Sequence, residues 1–193
     1  NMMLTALQDA GVPGDDPAVQ RALVFLQRTQ MLDEVNDLPY ADGSTQGGFI
    51  YATRPDKDHV GEGESKGGTV EESADDGTNV SKLRAYGSMT YAGIKSLIYA
   101  GVSKDDPRVK RAYEWIQKNY TVENNPGMPE QRSQWGLYYY YHTMAKSLDA
   151  LRIDHVVDAK GVKHDWRKDI TEALAKRQEA GGSFRNSEAL NWM

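Results

Sequence analysis

One stretch of this chain occurs twice without a gap, and this repeat constrains the fold more than any other feature. Residues 7–22 match residues 97–112 at a constant offset (97 − 7 = 90 and 112 − 22 = 90). The two copies share Ala-Gly-Val, Asp-Asp-Pro and Arg-Ala elements. A repeat with a long, fixed period is typical of a supersecondary unit that stacks on its own copies.

Each copy predicts two helices joined by a tight turn. Gly11 and Gly101 follow the first helix, where glycine can adopt the left-handed conformation that ends a helix. Asp16 and Asp106 then stand as N-caps, each followed by a proline at the first helical position. Apolar residues recur at helical spacing after these caps, and they are Val19, Ala22, Leu23 and Leu26, and Val109, Ala112, Tyr113 and Ile116.

A third and more divergent copy is predicted near the carboxyl end. Residues 142–148 resemble residues 91–97, and both segments end in Lys-Ser-Leu. Asp165 then caps a helix that is predicted to run to Gln178, although the register of this copy is ambiguous. Helical hairpins at long period predict a solenoid or a toroid, because neighbouring units complete each other's core.

Two segments interrupt the predicted helices. Residues 53–84 are rich in Gly, Asp, Glu, Ser and Lys, a composition that predicts a long, mobile, acidic loop. Residues 155–164 predict a small inserted β-hairpin, in which Val157 pairs with Val162 around an Asp-Ala-Lys-Gly turn.

Three glutamine-containing segments resemble a known repeat signature. Residues 21–30 followed by Gln-Gly-Gly-Phe at 46–49 resemble a degenerate QW motif, and residues 134–136 and 178–184 look like further copies. That motif marks squalene and hopene cyclases and the β subunits of protein prenyltransferases. The resemblance covers nearly the whole chain outside residues 53–84.

The resemblance implies an all-α fold in which helical hairpins form part of an α/α-toroid. Outer helices would begin at Asp16, Asp106 and Asp165, and inner helices would lie near Leu4, Tyr91 and His142. We expect one domain over residues 1–193. A closed ring needs about twice this number of hairpins, because each repeat needs neighbours on both sides. We therefore expect the chain to belong to a larger protein or to self-associate through its unfinished edge.

Composition limits the classes of partner. The net charge of −5 argues against a nucleic-acid surface, which is normally basic. No apolar run approaches the ~20 residues of a membrane span, so no transmembrane segment is predicted. The chain has no cysteine, which excludes thiolate ligands and nucleophiles. No cofactor is predicted. The toroid resemblance implies an apolar small molecule in a central cavity or a protein partner, and nothing indicates the compartment.

No complete catalytic motif of the resembled families is present. Their cyclases protonate substrate with D-x-D-D, and the nearest segment is Ser-Ala-Asp-Asp at 73–76, where Asp75 and Asp76 also read as an ordinary charge pair in a loop. The prenyltransferase zinc site uses a cysteine that this chain lacks. A zinc site from His155 and His164 is conceivable if the hairpin places them opposite each other, but a surface pair of histidines is favoured.

The residues predicted to line a central cavity are aromatic. A run of four tyrosines and a histidine opens the third inner helix, and Tyr91 aligns with His142. The candidate ligand-binding residues are Tyr91, Tyr138, Tyr141 and His142. In cyclases, interior aromatic rings stabilise carbocations. The alternative interpretation is interior packing with satisfied hydroxyl groups.

Two functions follow from these observations. The first is a binding or scaffold module, whose contact surfaces would be the acidic residues from Asp56 to Asp76 and the hairpin at 155–164. The second is a terpenoid cyclase-like isomerase whose catalytic acid lies outside this chain. Fold alone does not decide between them.

Overall fold

The computed structural model describes residues 2–54, 62–73 and 77–186, and it combines helices with short strands. In this part of the chain the helices are α1 (Met2–Asp9), α2 (Pro17–Thr29), α3 (Gly87–Tyr99), α4 (Pro107–Lys118), α5 (Leu137–Ala150) and α6 (Trp166–Arg177). The strands are β1 (Ala52–Arg54), β2 (Glu62–Glu64), β3 (Thr69–Ser73), β4 (Asn79–Leu83), β5 (Val156–Val157) and β6 (Lys163–His164). The fold is therefore mixed, and the prediction of an all-α fold is wrong.

The helical repeats form where their caps predict them. The Asp16 carboxylate accepts the Ala18 N–H at 2.7 Å, and the Asp106 carboxylate accepts the Arg108 N–H at 2.9 Å. In the third copy, the side chain of Asp165 caps α6 in the same way. Each carboxylate satisfies a backbone donor that has no partner inside the helix, so the cap assignments are confirmed.

The helices lie in two layers around α3. This helix is buried on nearly every face and contacts α1, α2, α4 and α5, while α6 packs on α5. The core between α3 and α5 contains fully buried side chains from both helices, which are Ile94 and Leu97 of α3 and Met144 and Leu148 of α5. Among the helices described, none is both long enough and apolar enough to cross a bilayer.

The turn after the first helix of each hairpin has the same backbone pattern in all three repeats. Gly11 and Gly101 have φ angles of 74° and 83°, as predicted for the end of a helix. In the third repeat this position holds Arg152, with φ of 55°. The Ile153 N–H donates to the Leu148 carbonyl at 2.9 Å, as Val102 does to Leu97 at 3.0 Å. The structure thereby fixes the register that the sequence leaves ambiguous.

The segment predicted as a long loop contains two antiparallel strand pairs. β1 pairs with β2, and β3 pairs with β4 from Thr69 opposite Leu83 to Ser73 opposite Asn79. The Glu72 carboxylate fastens the second pair to the body of the protein, accepting from the Thr45 N–H at 3.0 Å and from the Gln46 amide at 2.5 Å. Strand pairing and these charge-assisted bonds order a segment whose composition alone predicts no structure.

A short hairpin forms within residues 155–164, with a register one residue away from the predicted one. Val157 pairs with Lys163 rather than Val162, and Val156 pairs with His164. The Asp158 carboxylate accepts the N–H groups of Lys160 and Val162, both at 2.9 Å. This side chain closes the turn, which explains the shifted register.

Candidate functional site: the Gln–Phe bridges and the exposed end of the helical layers

The tyrosines at the start of α5 serve mainly the core. Tyr140 is fully buried, and its hydroxyl donates to the Thr121 carbonyl at 2.6 Å. Tyr91 on α3 is also buried, and its ring lies 5.6 Å from that of Tyr140 in an edge-to-face arrangement. Tyr141 is buried as well and donates to the Val122 carbonyl. Burial raises the pKa of Tyr141 to about 12, so its phenol stays neutral.

The structure does not bring the four predicted ligand-binding residues to one place. Tyr138 and Tyr141 lie together, with ring centroids 6.2 Å apart. The ring of Tyr91 packs against Tyr140, and the ring of Tyr140 in turn packs against Tyr141, so Tyr140 separates Tyr91 from the other two tyrosines. His142 is exposed and lies one helical turn from the exposed Tyr139. Tyr138 instead points toward the segment that follows α6.

Lys95 is a buried cation that sequence reasoning did not single out. It lies on α3, is 6% exposed, and holds its Nζ 5.4 Å from the centre of the Tyr99 ring. Burial lowers the pKa of Lys95, and the nearby Lys146 lowers it further. Both lysines belong to the repeated Lys-Ser-Leu segments, so the repeat itself is the signal in the sequence that pairs them.

An isolated β-bridge between Gln30 and Phe49 closes the first repeat, and we call it the first bridge. The Met31 N–H donates to the Gly48 carbonyl at 2.8 Å, and the Gly47 N–H donates to the Met31 carbonyl at 2.8 Å. The Gln30 side-chain amide donates to the Gly47 carbonyl at 2.7 Å. These residues are the ones that carry the family resemblance, so the motif has a defined local structure here.

The second repeat docks on the first bridge through α4. The Gln30 amide also donates to the Arg108 carbonyl in the first turn of α4, at 2.9 Å. A Cβ on Gly47 would lie only 2.6 Å from the Arg111 carbonyl oxygen, so the backbones of the two repeats touch. This close approach requires glycine, both for space and for its φ of 78°.

The second repeat also docks on the first bridge through α3. The Phe49 N–H donates to the Thr90 hydroxyl at 3.0 Å, and the Phe49 ring lies against Gly93, where a Cβ would come within 2.5 Å of the ring. Trp115 of α4 covers Gly48, with a ring atom 2.9 Å from the Cβ position. Phe49 is consequently 1% exposed. The first bridge is a docking surface for a helical hairpin.

A second bridge with the same geometry follows α6, and we call it the last bridge. Gln178 pairs with Phe184, the Glu179 N–H donates to the Ser183 carbonyl at 2.9 Å, and the Gly182 N–H donates to the Glu179 carbonyl at 2.8 Å. The Gln178 amide donates to the Gly182 carbonyl at 3.1 Å. The turn glycine has a positive φ in both bridges, 78° in the first and 83° in the last.

The two bridges differ in what covers them. Phe184 is 45% exposed, although its ring contacts Tyr138 at 5.6 Å. Within the described residues, nothing lies within 4 Å of a Cβ on Gly181, and only the Gln178 amide approaches one on Gly182. The last bridge therefore presents to the surface the groups that the first bridge uses to dock a hairpin.

The remaining glutamine motif does not form such a bridge. The Gln134 amide donates to the Glu123 carbonyl at 2.9 Å, and the Trp135 ring stacks under Arg132 at 4.5 Å. The buried Asn125 joins this region to α3, because it accepts the Ser88 N–H at 2.9 Å. The second and third repeats are therefore connected by different chemistry from the first and second.

The conceivable zinc ligands do not face each other. His155 is exposed, and the shifted register places Val156, rather than His155, opposite His164. His164 lies between two carboxylates, with Nε2 at 3.1 Å from Asp158 and Nδ1 at 3.5 Å from Asp169. Its ring stacks on Tyr120 at 4.3 Å. These contacts hold the hairpin against α6. Asp75 and Asp76, the nearest approach to an acid motif, lie outside the described residues.

Comparison with known proteins adds no relative to this description. No family model, curated protein or solved structure matches the chain.

Proposed function

We propose that the chain is a scaffold module in which helical hairpins dock on Gln–Phe bridges, and that the last bridge binds a further hairpin. The observation that carries this proposal is that the two bridges share three equivalent hydrogen bonds, whereas Phe49 is buried and Phe184 is 45% exposed. The resemblance to squalene cyclase and prenyltransferase repeats belongs to the same proposal, since those repeats also stack.

The polar groups of the last bridge favour this function over simple surface exposure. In the first bridge the Gln30 amide has two acceptors, the Gly47 carbonyl and the Arg108 carbonyl of the docked helix. In the last bridge the Gln178 amide donates to the Gly182 carbonyl, which is the equivalent of the Gly47 carbonyl. Its second amide hydrogen has no acceptor among the described residues. The exposed Gln178 amide can therefore donate to a backbone carbonyl of a further hairpin, as Gln30 does to Arg108.

The alternative of a cyclase-like isomerase draws less support from the described residues. Tyr140 and Tyr141 use their hydroxyl groups to bind backbone carbonyls, and Tyr91 packs between α3 and α5. These are the roles expected for aromatic side chains that hold helices together. That alternative continues to require a catalytic acid from outside this chain.

A tandem chain tests the scaffold proposal in cis. A second copy of residues 1–193 is joined directly to the end of the first, and unfolding in urea is followed by circular dichroism. If the last bridge accepts a hairpin, the two copies unfold together, with one transition and a denaturant slope about twice that of the single chain. A tandem chain with the midpoint and slope of the single chain would contradict the proposal.

The matched control is the same tandem chain with Gln178→Ala and Phe184→Ala in the first copy only. The single chain with the same two changes is the reference for this control, because Gln178 bonds Gly182 and Phe184 contacts Tyr138 within one copy. In the tandem chain the changes remove the contacts between copies, and we expect the midpoint and slope to return to those of the single chain.

A further inference from the structure

The first bridge shows which features a docking hairpin must carry. On α4 they are the carbonyl of Arg108, the backbone at Arg111 and the ring of Trp115. All three lie on one face, because they are separated by three and four positions of a helix. A hairpin that binds the last bridge needs the same face, with a backbone carbonyl in its first turn and an aromatic residue two turns later.

The first outer helix of this chain has that face. At the offset that relates the two copies, Arg108, Arg111 and Trp115 correspond to Ala18, Arg21 and Phe25 (108 − 90 = 18, 111 − 90 = 21 and 115 − 90 = 25). The caps of the two helices are also the same, with an Asp-Pro pair in each. α2 therefore presents a docking surface at the same place on the same kind of helix.

This face of α2 is exposed, whereas its counterpart on α4 is buried. Trp115 is 6% exposed in its contact with the first bridge, but Phe25 is 46% exposed. Val24 beside it is also 46% exposed, where α4 has Glu114. Val24 and Phe25 thus form a small apolar surface on α2 at the place where α4 contacts the first bridge.

We propose that the last bridge of one chain binds the α2 face of a second copy of the same chain. This inference rests on the proposed scaffold function and names the partner. The Gln178 amide donates to the Ala18 carbonyl of the second copy, and Phe25 of that copy covers Ser183, as Trp115 covers Gly48 within one chain.

One difference between the two interfaces is offset by another. The last bridge has Ser183 where the first has Gly48, which adds a side chain at a position where a Cβ would lie 2.9 Å from Trp115. The second copy has Phe25 where α4 has Trp115, and the smaller ring leaves room for that side chain. Volume-conserving exchanges of this kind preserve packing.

The inner helix of the second copy completes the contact. Gly93, which lies under the Phe49 ring, corresponds to Met3 (93 − 90 = 3), and Met3 is 71% exposed. A methionine side chain is flexible and packs well against an aromatic ring, so Met3 can adapt to the ring of Phe184. Arg21 adds a cation on the α2 face, and Glu179 adds a carboxylate within the last bridge.

The proposed interface joins two different surfaces, so it is head-to-tail. A pair of chains therefore keeps one unused last bridge, on one chain, and one unused α2 face, on the other. Such heterologous contacts produce closed rings or open arrays rather than symmetric dimers. Association therefore continues beyond the dimer as concentration rises.

Sedimentation velocity of the full chain tests the proposal. We compare the wild type with Phe25→Asp, which blocks the α2 face, and Phe184→Asp, which blocks the last bridge. Loading concentrations run from about 10 to about 500 µM, a range that covers weak specific interfaces. We expect the wild type to form dimers and larger species, and each variant alone to remain monomeric.

Mixing the two variants gives the decisive result. The Phe25→Asp chain keeps an intact last bridge and the Phe184→Asp chain keeps an intact α2 face, so an equimolar mixture forms a dimer and nothing larger. Val162→Asp is the matched control, because Val162 is 50% exposed on the β5–β6 hairpin and lies in neither surface. That variant associates like the wild type.

Several outcomes would overturn the proposal. These are a wild type that stays monomeric throughout, self-association by Phe184→Asp alone, or a mixture of the two variants that stays monomeric. Thermal unfolding checks that the variants fold. If Phe25→Asp does not fold, Arg21→Glu is the second variant that blocks the α2 face. A cooperative tandem chain with a monomeric wild type would retain the scaffold function and assign a further hairpin, rather than a second copy, to the last bridge.

Discussion

Arg152 adopts the backbone conformation that glycine adopts in the other two repeats. Its φ is 55°, against 74° for Gly11 and 83° for Gly101, and the same helix-ending hydrogen bonds surround all three. A side chain makes this conformation costly, because its Cβ approaches the following carbonyl. Arg152 is exposed and makes no side-chain hydrogen bond among those described, so its cost is not offset there.

Replacing Arg152 with glycine therefore stabilises the protein. We expect Arg152→Gly to raise the free energy of unfolding by about 1 kcal/mol, the relief of left-handed strain less the added freedom of the unfolded chain. Chemical denaturation measures the change. Arg152→Ala keeps the strain and serves as the control. An equal gain from alanine would show that the loss of the arginine side chain, and not the backbone, is responsible.

Gly93 is a second residue at which a single methyl group matters. A Cβ there would lie 2.5 Å from the Phe49 ring, inside the contact between the first bridge and α3. We expect Gly93→Ala to lower the free energy of unfolding by about 2 kcal/mol, despite the better helix propensity of alanine. In Gly181→Ala the new methyl group meets nothing within 4 Å, so this control changes stability by less than about 0.5 kcal/mol.

The result for Gly93→Ala bears on the docking geometry itself. A neutral or stabilising effect would mean that Phe49 moves freely away from α3, and the first bridge would then not be a tightly packed docking surface. Thermal and urea unfolding of the two alanine variants, measured side by side, separates these cases.

At the scale of elements, the helices are predictable and most strands are not. The caps are Asp16, Asp106 and Asp165. Each of these side chains accepts a backbone N–H only two or three residues further along the chain, so the local sequence is enough to predict the cap. The strand pair β3–β4 depends on Glu72 reaching Thr45 and Gln46, which are distant in sequence. Local composition therefore predicts a loop in a segment that long-range contacts order.

The cap of α4 gives a prediction at this scale. The hydrogen bond from the Arg108 side chain holds the pKa of Asp106 below its ordinary value, against the opposing effect of burial. A lowered pKa in the folded state means that the stabilisation is present above the ordinary pKa and is lost as pH falls through the folded value. We expect Asp106→Ala to cost about 1 kcal/mol at pH 7 and less below about pH 4.

The neighbouring Asp105 supplies the control for this prediction. It belongs to the same Asp-Asp-Pro element, but its side chain is 91% exposed and, within the described part of the chain, forms an ion pair with Lys110 alone, at 3.4 Å. Asp105→Ala should leave stability nearly unchanged at both pH values. If both substitutions cost the same at pH 7, the effect would reflect local charge and not the cap. Urea unfolding at pH 7 and pH 3.5 makes the comparison.

At the scale of the whole molecule, the sequence locates the two bridges without showing whether they are covered. The segments at 21–30 with 46–49 and at 178–184 resemble one motif, and both form a Gln–Phe bridge. Whether a bridge is covered depends on packing between repeats, which no local pattern contains. The predicted ligand residues illustrate the same limit, since Tyr91 is in the core and His142 is exposed at aligned positions.

The most direct test of the account is amide hydrogen exchange at the two bridges, measured by NMR at low and high protein concentration. In the first bridge, the Met31 and Gly47 N–H groups lie beneath the second repeat, so their protection is high at every concentration. The Glu179 and Gly182 N–H groups make the equivalent bonds at the surface. We expect them to exchange quickly in dilute solution and to become protected as concentration rises. Fast exchange of these two amides at every concentration, or protection equal to that of Met31 and Gly47 in dilute solution, would contradict the account.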